Sequence, residues 1–113
     1  MTPGPCWAEI NLRQLQENFR LVRSHVGTDR KVLAVVKADA YGHGAVPVAR
    51  ALAEAGVDYL GVAAVNEGIE LRQAGIRAPI LVLTGFFPGE EQELLEFDLT
   101  PGVTEPGQLD RLE

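Results

Sequence analysis

The chain has 113 residues, 46% of them hydrophobic and 23% charged, the proportions of an ordinary globular protein that can bury one core. Ten basic against sixteen acidic residues give a net charge of −6, which argues against nucleic acid or an anionic membrane as the main partner, since both favour basic patches. A single cysteine, Cys6, leaves no internal disulfide. No basic leader is visible, and no run nears the roughly 18 apolar residues of a membrane span, so the expectation is a cytoplasmic protein.

Trp7 to Asn11 reads as a short strand. Asn11 is a good helix N-cap with Gln14 as its capping-box partner. Leu12, Leu15, Phe19, Val22 and Val26 then recur at three- and four-residue steps, the stripe of an amphipathic helix. Gly27 closes it as a left-handed terminal residue would. Lys31 to Val36 is a nearly continuous apolar run, the mark of a strand covered on both faces in a parallel sheet. A helix is predicted over 45–55, with Pro47 in its first turn and Val46, Ala49, Leu52 and Ala53 facing inward. Gly56 stops it, and 57–64 reads as a second buried strand. A helix over 66–74 ends at Gly75, and 79–83 makes a third strand. Glu90 to Phe97 gives a short helix, 99–103 a fourth strand, and Thr104 caps the final segment.

Ala55-Gly56-Val57 and Ala74-Gly75-Ile76 occupy the same place in consecutive units. Strand and helix alternating at this rhythm define an α/β chain with a parallel sheet. Four β/α units are about half of a TIM-type (β/α)8 barrel, which needs about 250 residues. The alternative is a small, complete doubly wound sheet of flavodoxin type. An ending inside a capped segment favours the partial barrel.

Chemistry concentrates after the first long strand. Lys37 stands at its C-terminal end, where β/α barrels carry their catalytic groups. Desolvation at such a mouth favours an uncharged amine, the nucleophile that forms a Schiff base with an aldehyde. The plain alternative is a lysine reaching to solvent from a strand end. Tyr41 adds a phenol four residues on, in a predicted loop. Gly42 and Gly44 flank His43 and permit unusual backbone angles and close ligand approach. The next helix points its N-terminus at the same mouth, where an anion would be favoured.

Val36-Lys37-Ala38-Asp39-Ala40-Tyr41-Gly42-His43-Gly44 resembles the pyridoxal-phosphate attachment signature of the alanine racemase family, in which the position of Asp39 is Asn or Asp. Trp7-Ala8-Glu9-Ile10-Asn11-Leu12, with Leu15 and Asn18, resembles the family's N-terminal opening. Ala78-Pro79-Ile80-Leu81-Val82-Leu83 resembles its third barrel strand. The resemblance runs through essentially the whole chain but covers only the first third of a family member.

It implies that Lys37 holds pyridoxal 5′-phosphate as a Schiff base and serves as one of two bases in interconverting L- and D-alanine. Tyr41 would sit near the cofactor phosphate, and Leu83 would line the cofactor pocket, with Thr84 where many members have glycine. His43 would either back the site or satisfy loop backbone. The opposite-face tyrosine, supplied in the family by the partner subunit, and two arginines would lie beyond residue 113. Residues 1–113 are thus expected to be the N-terminal portion of the cofactor-binding barrel domain, without its remainder or the C-terminal β domain, and inactive alone. The parent would be a cytoplasmic homodimer supplying D-alanine for peptidoglycan in the cell wall. A broader amino-acid racemase and a non-enzymatic pyridoxal-phosphate-binding barrel are the other readings. His25 reads as a solvated side chain, the glutamates from Glu90 to Glu96 as a charged helix face, and Cys6 as unactivated. No metal site is expected.

Overall fold

The computed structural model describes residues 11–102, apart from the Tyr41 side chain. The predicted strand at 7–11 and the cap at Thr104 lie outside the described residues. Asn11 opens α1 (Leu12–Val26), its Oδ1 accepting the Gln14 N–H at 3.0 Å. Only half of the predicted capping box forms, because the Gln14 side chain turns forward to donate to Asn18 at 2.9 Å. Phe19 is the residue of the α1 stripe that is fully buried, with Leu12 and Leu15 packed beside it. Val22, expected inside, is 48% exposed. Gly27 ends the helix at φ 88°, ψ 177°, an extended glycine conformation rather than the left-handed cap anticipated.

Next in the chain come β1 (Leu33–Val35), α2 (Lys37–Tyr41), α3 (Ala45–Glu54), β2 (Tyr59–Val62), α4 (Val65–Gln73), β3 (Ile80–Val82), α5 (Glu91–Glu96) and β4 (Thr100–Pro101). All strand pairs are parallel, in the order β1-β2-β3-β4. A doubly wound sheet would place β1 inside and reverse direction beside it. The steady progression is that of a β/α barrel wall, so the flavodoxin-type alternative falls. The strands are shorter than their apolar runs, since flanking residues such as Leu99 enter the core without pairing.

Alternation sends Ala34, Leu60 and Ile80 to the helices, with Val36, Val62 and Val82 in the next row. Leu60, Ile80 and Val82 are completely buried there against a core that includes Leu52, Leu71 and Leu94. Removing each such side chain from water contributes roughly 1.5–3 kcal/mol. The other face carries Leu33, Val35 and Leu83, each more than a third exposed. β1 is therefore covered on one face only, against expectation, because in a barrel wall the second face is buried by strands across the lumen rather than by helices. On α3 the buried set is Ala45, Val48, Ala49, Ala51 and Leu52; Val46 and Ala53 lie at its margins.

Two arginines tie the end of the sheet away from Lys37. Arg72 donates to the carbonyls of Ile76, Ala78, Phe97 and Asp98 at 2.8–2.9 Å. Arg23 pairs with Asp58, whose Oδ2 also accepts the Val32 N–H at 2.7 Å. These bonds lock α1 to the entries of β1 and β2. The Arg23 guanidinium, then the Val32 N–H, hold the Asp58 carboxyl below its ordinary 3.8.

α2 is a left-handed helical turn. Ala38, Asp39 and Ala40 have φ 52–56° and ψ 43–48°, where each L-residue gives up roughly 1–2 kcal/mol. Asp39 then reaches forward to cap α3, its Oδ1 accepting the Ala45 N–H at 2.7 Å. Gly42 and Gly44, at φ 88° and 92°, complete the reversal.

These contacts can be tested at Asp58 and at Asp39. Because folding depresses the Asp58 carboxyl, its contribution is complete above its unfolded value and is lost as pH falls through the folded one. Asp58→Asn should lower the urea midpoint at neutral pH and flatten its acid dependence below about pH 4; equal midpoints at all pH values would contradict the pairing. Asp39→Asn keeps the Oδ1 acceptor and should be near neutral, whereas Asp39→Ala should cost about 1 kcal/mol in chemical denaturation.

Candidate active site

The C-terminal ends of the parallel strands gather Lys37, Ala63, Leu83 and Thr84 at one mouth. Val36, the last buried residue of the β1 run, donates its N–H to the Gly61 carbonyl at 2.8 Å. Lys37 is next, half-buried, two residues past the end of β1 and the first residue of α2. It is therefore a primary amine at the rim of an apolar floor. Gly61 keeps that floor low: a Cβ there would come within 2.9 Å of Leu33 and 3.2 Å of Leu83. Leu83, 37% exposed, stands across this floor from β1.

The mouth is braced by side chains bonded to backbone. The Glu67 carboxylate accepts the Ala38 N–H at 2.7 Å through Oε2, and the Ala63 and Ala64 N–H groups at 2.7 and 3.1 Å through Oε1. As the third residue of α4 it reaches back to the helix start in the manner of a capping-box glutamate, although Ala64 has no side-chain oxygen to reciprocate. The Thr84 hydroxyl donates to the Ala63 carbonyl, so both sides of that mouth peptide are fixed.

The residues singled out by sequence fare differently. Lys37 follows the C-terminal end of β1 and Leu83 that of β3, so both stand at the same end of the sheet. The backbone puts Tyr41 at the end of the left-handed turn, and its side chain lies outside the described part of the structure. His43 is exposed, with Nδ1 2.9 Å from the Ala40 carbonyl, the loop-satisfying role. The start of α3, expected to favour an external anion, already has the Asp39 carboxylate on the Ala45 N–H. Glu90 and Glu91 accept the N–H groups of Phe87 and Gly89 at 2.6 and 2.8 Å and so cap the approach to α5. Glu67 and Asp39 were the bracing groups that motif reading passed over. The available signal was Ala64-Val65-Asn66-Glu67, a glutamate three residues past a strand end where a helix begins.

An amine at the end of β1, an apolar floor and a rigid rim suit a cofactor bound through an aldehyde. The family model for the N-terminal domain of alanine racemase matches residues 10–113. The alanine racemase of Halothermothrix orenii is 50% identical over 99 residues, which are 88% of this chain and 26% of that protein. Among solved structures, alanine racemase from Clostridium difficile 630 in complex with cycloserine superposes with a TM-score of 0.89 at 42% identity, over 99% of this chain and 31% of that one. The enzyme from Bartonella henselae with covalently bound pyridoxal phosphate matches with a TM-score of 0.81 at 30% identity, over 90% of this chain and 28% of that one. The chain spans about a quarter to a third of the length of these proteins. It belongs to the alanine racemase family.

Proposed function

We propose that these residues are the lysine-bearing, N-terminal portion of the cofactor-binding barrel of a pyridoxal-phosphate-dependent alanine racemase, an isomerase that interconverts L- and D-alanine. The observation that carries the reading is the position of Lys37: a half-buried lysine just past the C-terminal end of β1 in a parallel sheet, the end at which β/α barrels carry their catalytic groups. The surrounding residues fit the group. The amine can bind an aldehyde covalently, Leu83 offers an apolar wall, and Tyr41, four residues on in the chain, is the phenol assigned to the phosphate. The start of α3 does not serve the phosphate in this reading, because Asp39 occupies its Ala45 N–H.

When bound, the conjugated ring of the cofactor supplies an electron sink for the pair released as the Cα–H bond breaks. The residues of this chain position and move the proton. With the group and substrate bound, Lys37 Nζ would be the amine that takes the Cα proton from one face. Inversion needs a second group on the other face, and that group, an arginine for the pyridine nitrogen and another for the substrate carboxylate are assigned to residues beyond 113. The complete enzyme is taken to be a cytoplasmic homodimer whose D-alanine enters cell-wall peptidoglycan. Among the described residues no helix is long and apolar enough to cross a membrane.

In the longer protein containing this sequence, Lys37→Ala should reduce alanine racemisation by roughly 10³-fold or more, as followed by chiral chromatography of L-alanine incubations. The 113-residue chain with added pyridoxal phosphate should form no D-alanine. Retained activity in Lys37→Ala would remove the lysine from the mechanism.

A further inference from the structure

The bonds of Glu67 exceed what a helix start requires. A capping glutamate need only reach the N–H at the beginning of its own helix, here Ala64. Glu67 does this with Oε1, and places Oε2 2.7 Å from the Ala38 N–H, 29 residues earlier in the chain. Ala38 comes directly after Lys37 and is the first of the three residues held at positive φ. A charge-assisted bond therefore grips the peptide that joins the lysine to its strained turn.

We propose that Glu67 is a positioning residue for Lys37: by fixing the Ala38 peptide it aims the amine into the mouth and sets how readily Lys37 captures the aldehyde of pyridoxal phosphate. The proposal rests on the assignment of Lys37 above. In capture, Nζ adds to the aldehyde carbon, the aldehyde oxygen leaves as water, and a C=N bond remains that borohydride reduces to a stable C–N bond.

Glu67→Gln separates the two roles. The glutamine oxygen can still accept from Ala63 and Ala64, but its NH2 would meet the Ala38 N–H donor to donor. The chain has two lysines, and Lys31, at the opposite end of β1 over the Tyr59 ring, is an internal reference. The experiment treats the longer protein containing this sequence, stripped of cofactor, with pyridoxal phosphate, quenches with borohydride at intervals and maps the adducts at Lys37 and Lys31 by mass, alongside amide exchange at Ala38. The expected result for Glu67→Gln is exchange at Ala38 about tenfold faster and capture at Lys37 about tenfold slower, with Lys31 unchanged and Glu70→Gln indistinguishable from the parent. Equal capture at Lys37 by parent and Glu67→Gln overturns the role of Glu67 alone. An adduct on Lys31 but not on Lys37 in the parent overturns the underlying assignment and the proposal with it. If the amides of Leu60 and Ile80 also lose protection in Glu67→Gln, the same Lys37-to-Lys31 ratio is read for Glu67→Asp. That variant keeps the charge but is one methylene short of Ala38; a ratio equal to the parent's then counts against the proposal.

Discussion

Holding Ala38, Asp39 and Ala40 in left-handed conformation sacrifices roughly 1–2 kcal/mol at each, and much of the mouth is arranged around that constraint. Glycines would have met it without strain, yet Gly42 and Gly44 follow the turn rather than forming it. Two carboxylates stabilise it instead: Glu67 on the Ala38 N–H at its entrance, and Asp39, inside it, on the first N–H of α3. The backbone after Lys37 is thus directed by charge-assisted bonds to fixed helices. Strain kept by surrounding structure at a reactive residue is the pattern expected where geometry matters more than stability.

The sheet supplies the second half of that precision. Parallel strands in the order β1 to β4 put their C-terminal ends at one rim, so an amine after β1, a wall after β3 and a helix start after β2 converge without long loops. Arg72 and the Arg23–Asp58 pair secure the opposite end. Bracing at both ends suits a scaffold whose inner face, with Leu33, Val35 and Leu83, is only partly covered by these residues.

Much of this is legible in the sequence. The apolar runs and the Ala-Gly pairs mark the β/α rhythm, and Lys37 stands out because of the Ala-Asp-Ala-Tyr-Gly-His-Gly run after it. The left-handed turn does not, since Ala-Asp-Ala carries none of the glycine signal that usually marks positive φ. Its anchor lies 29 residues away in Glu67, a long-range bond that local spacing does not encode. The open face of β1 escapes sequence reading for a related reason. A continuous apolar run reports that both faces are to be buried, but not that one waits on strands across a barrel rather than on helices. Val22 keeps the helical period and still lies outside, because α1 packs mainly against α3 and Phe19 is the stripe residue buried there.

The central claim is that Lys37, presented by a left-handed turn at the rim of the sheet, is the cofactor's point of attachment. An X-ray structure of crystals grown with pyridoxal phosphate tests it most directly. The account predicts electron density continuous from Lys37 Nζ into the cofactor ring, with Ala38, Asp39 and Ala40 at positive φ and Glu67 on the Ala38 N–H. Density joined to another residue, or Lys37 leading into a right-handed turn with Glu67 disengaged, would contradict it.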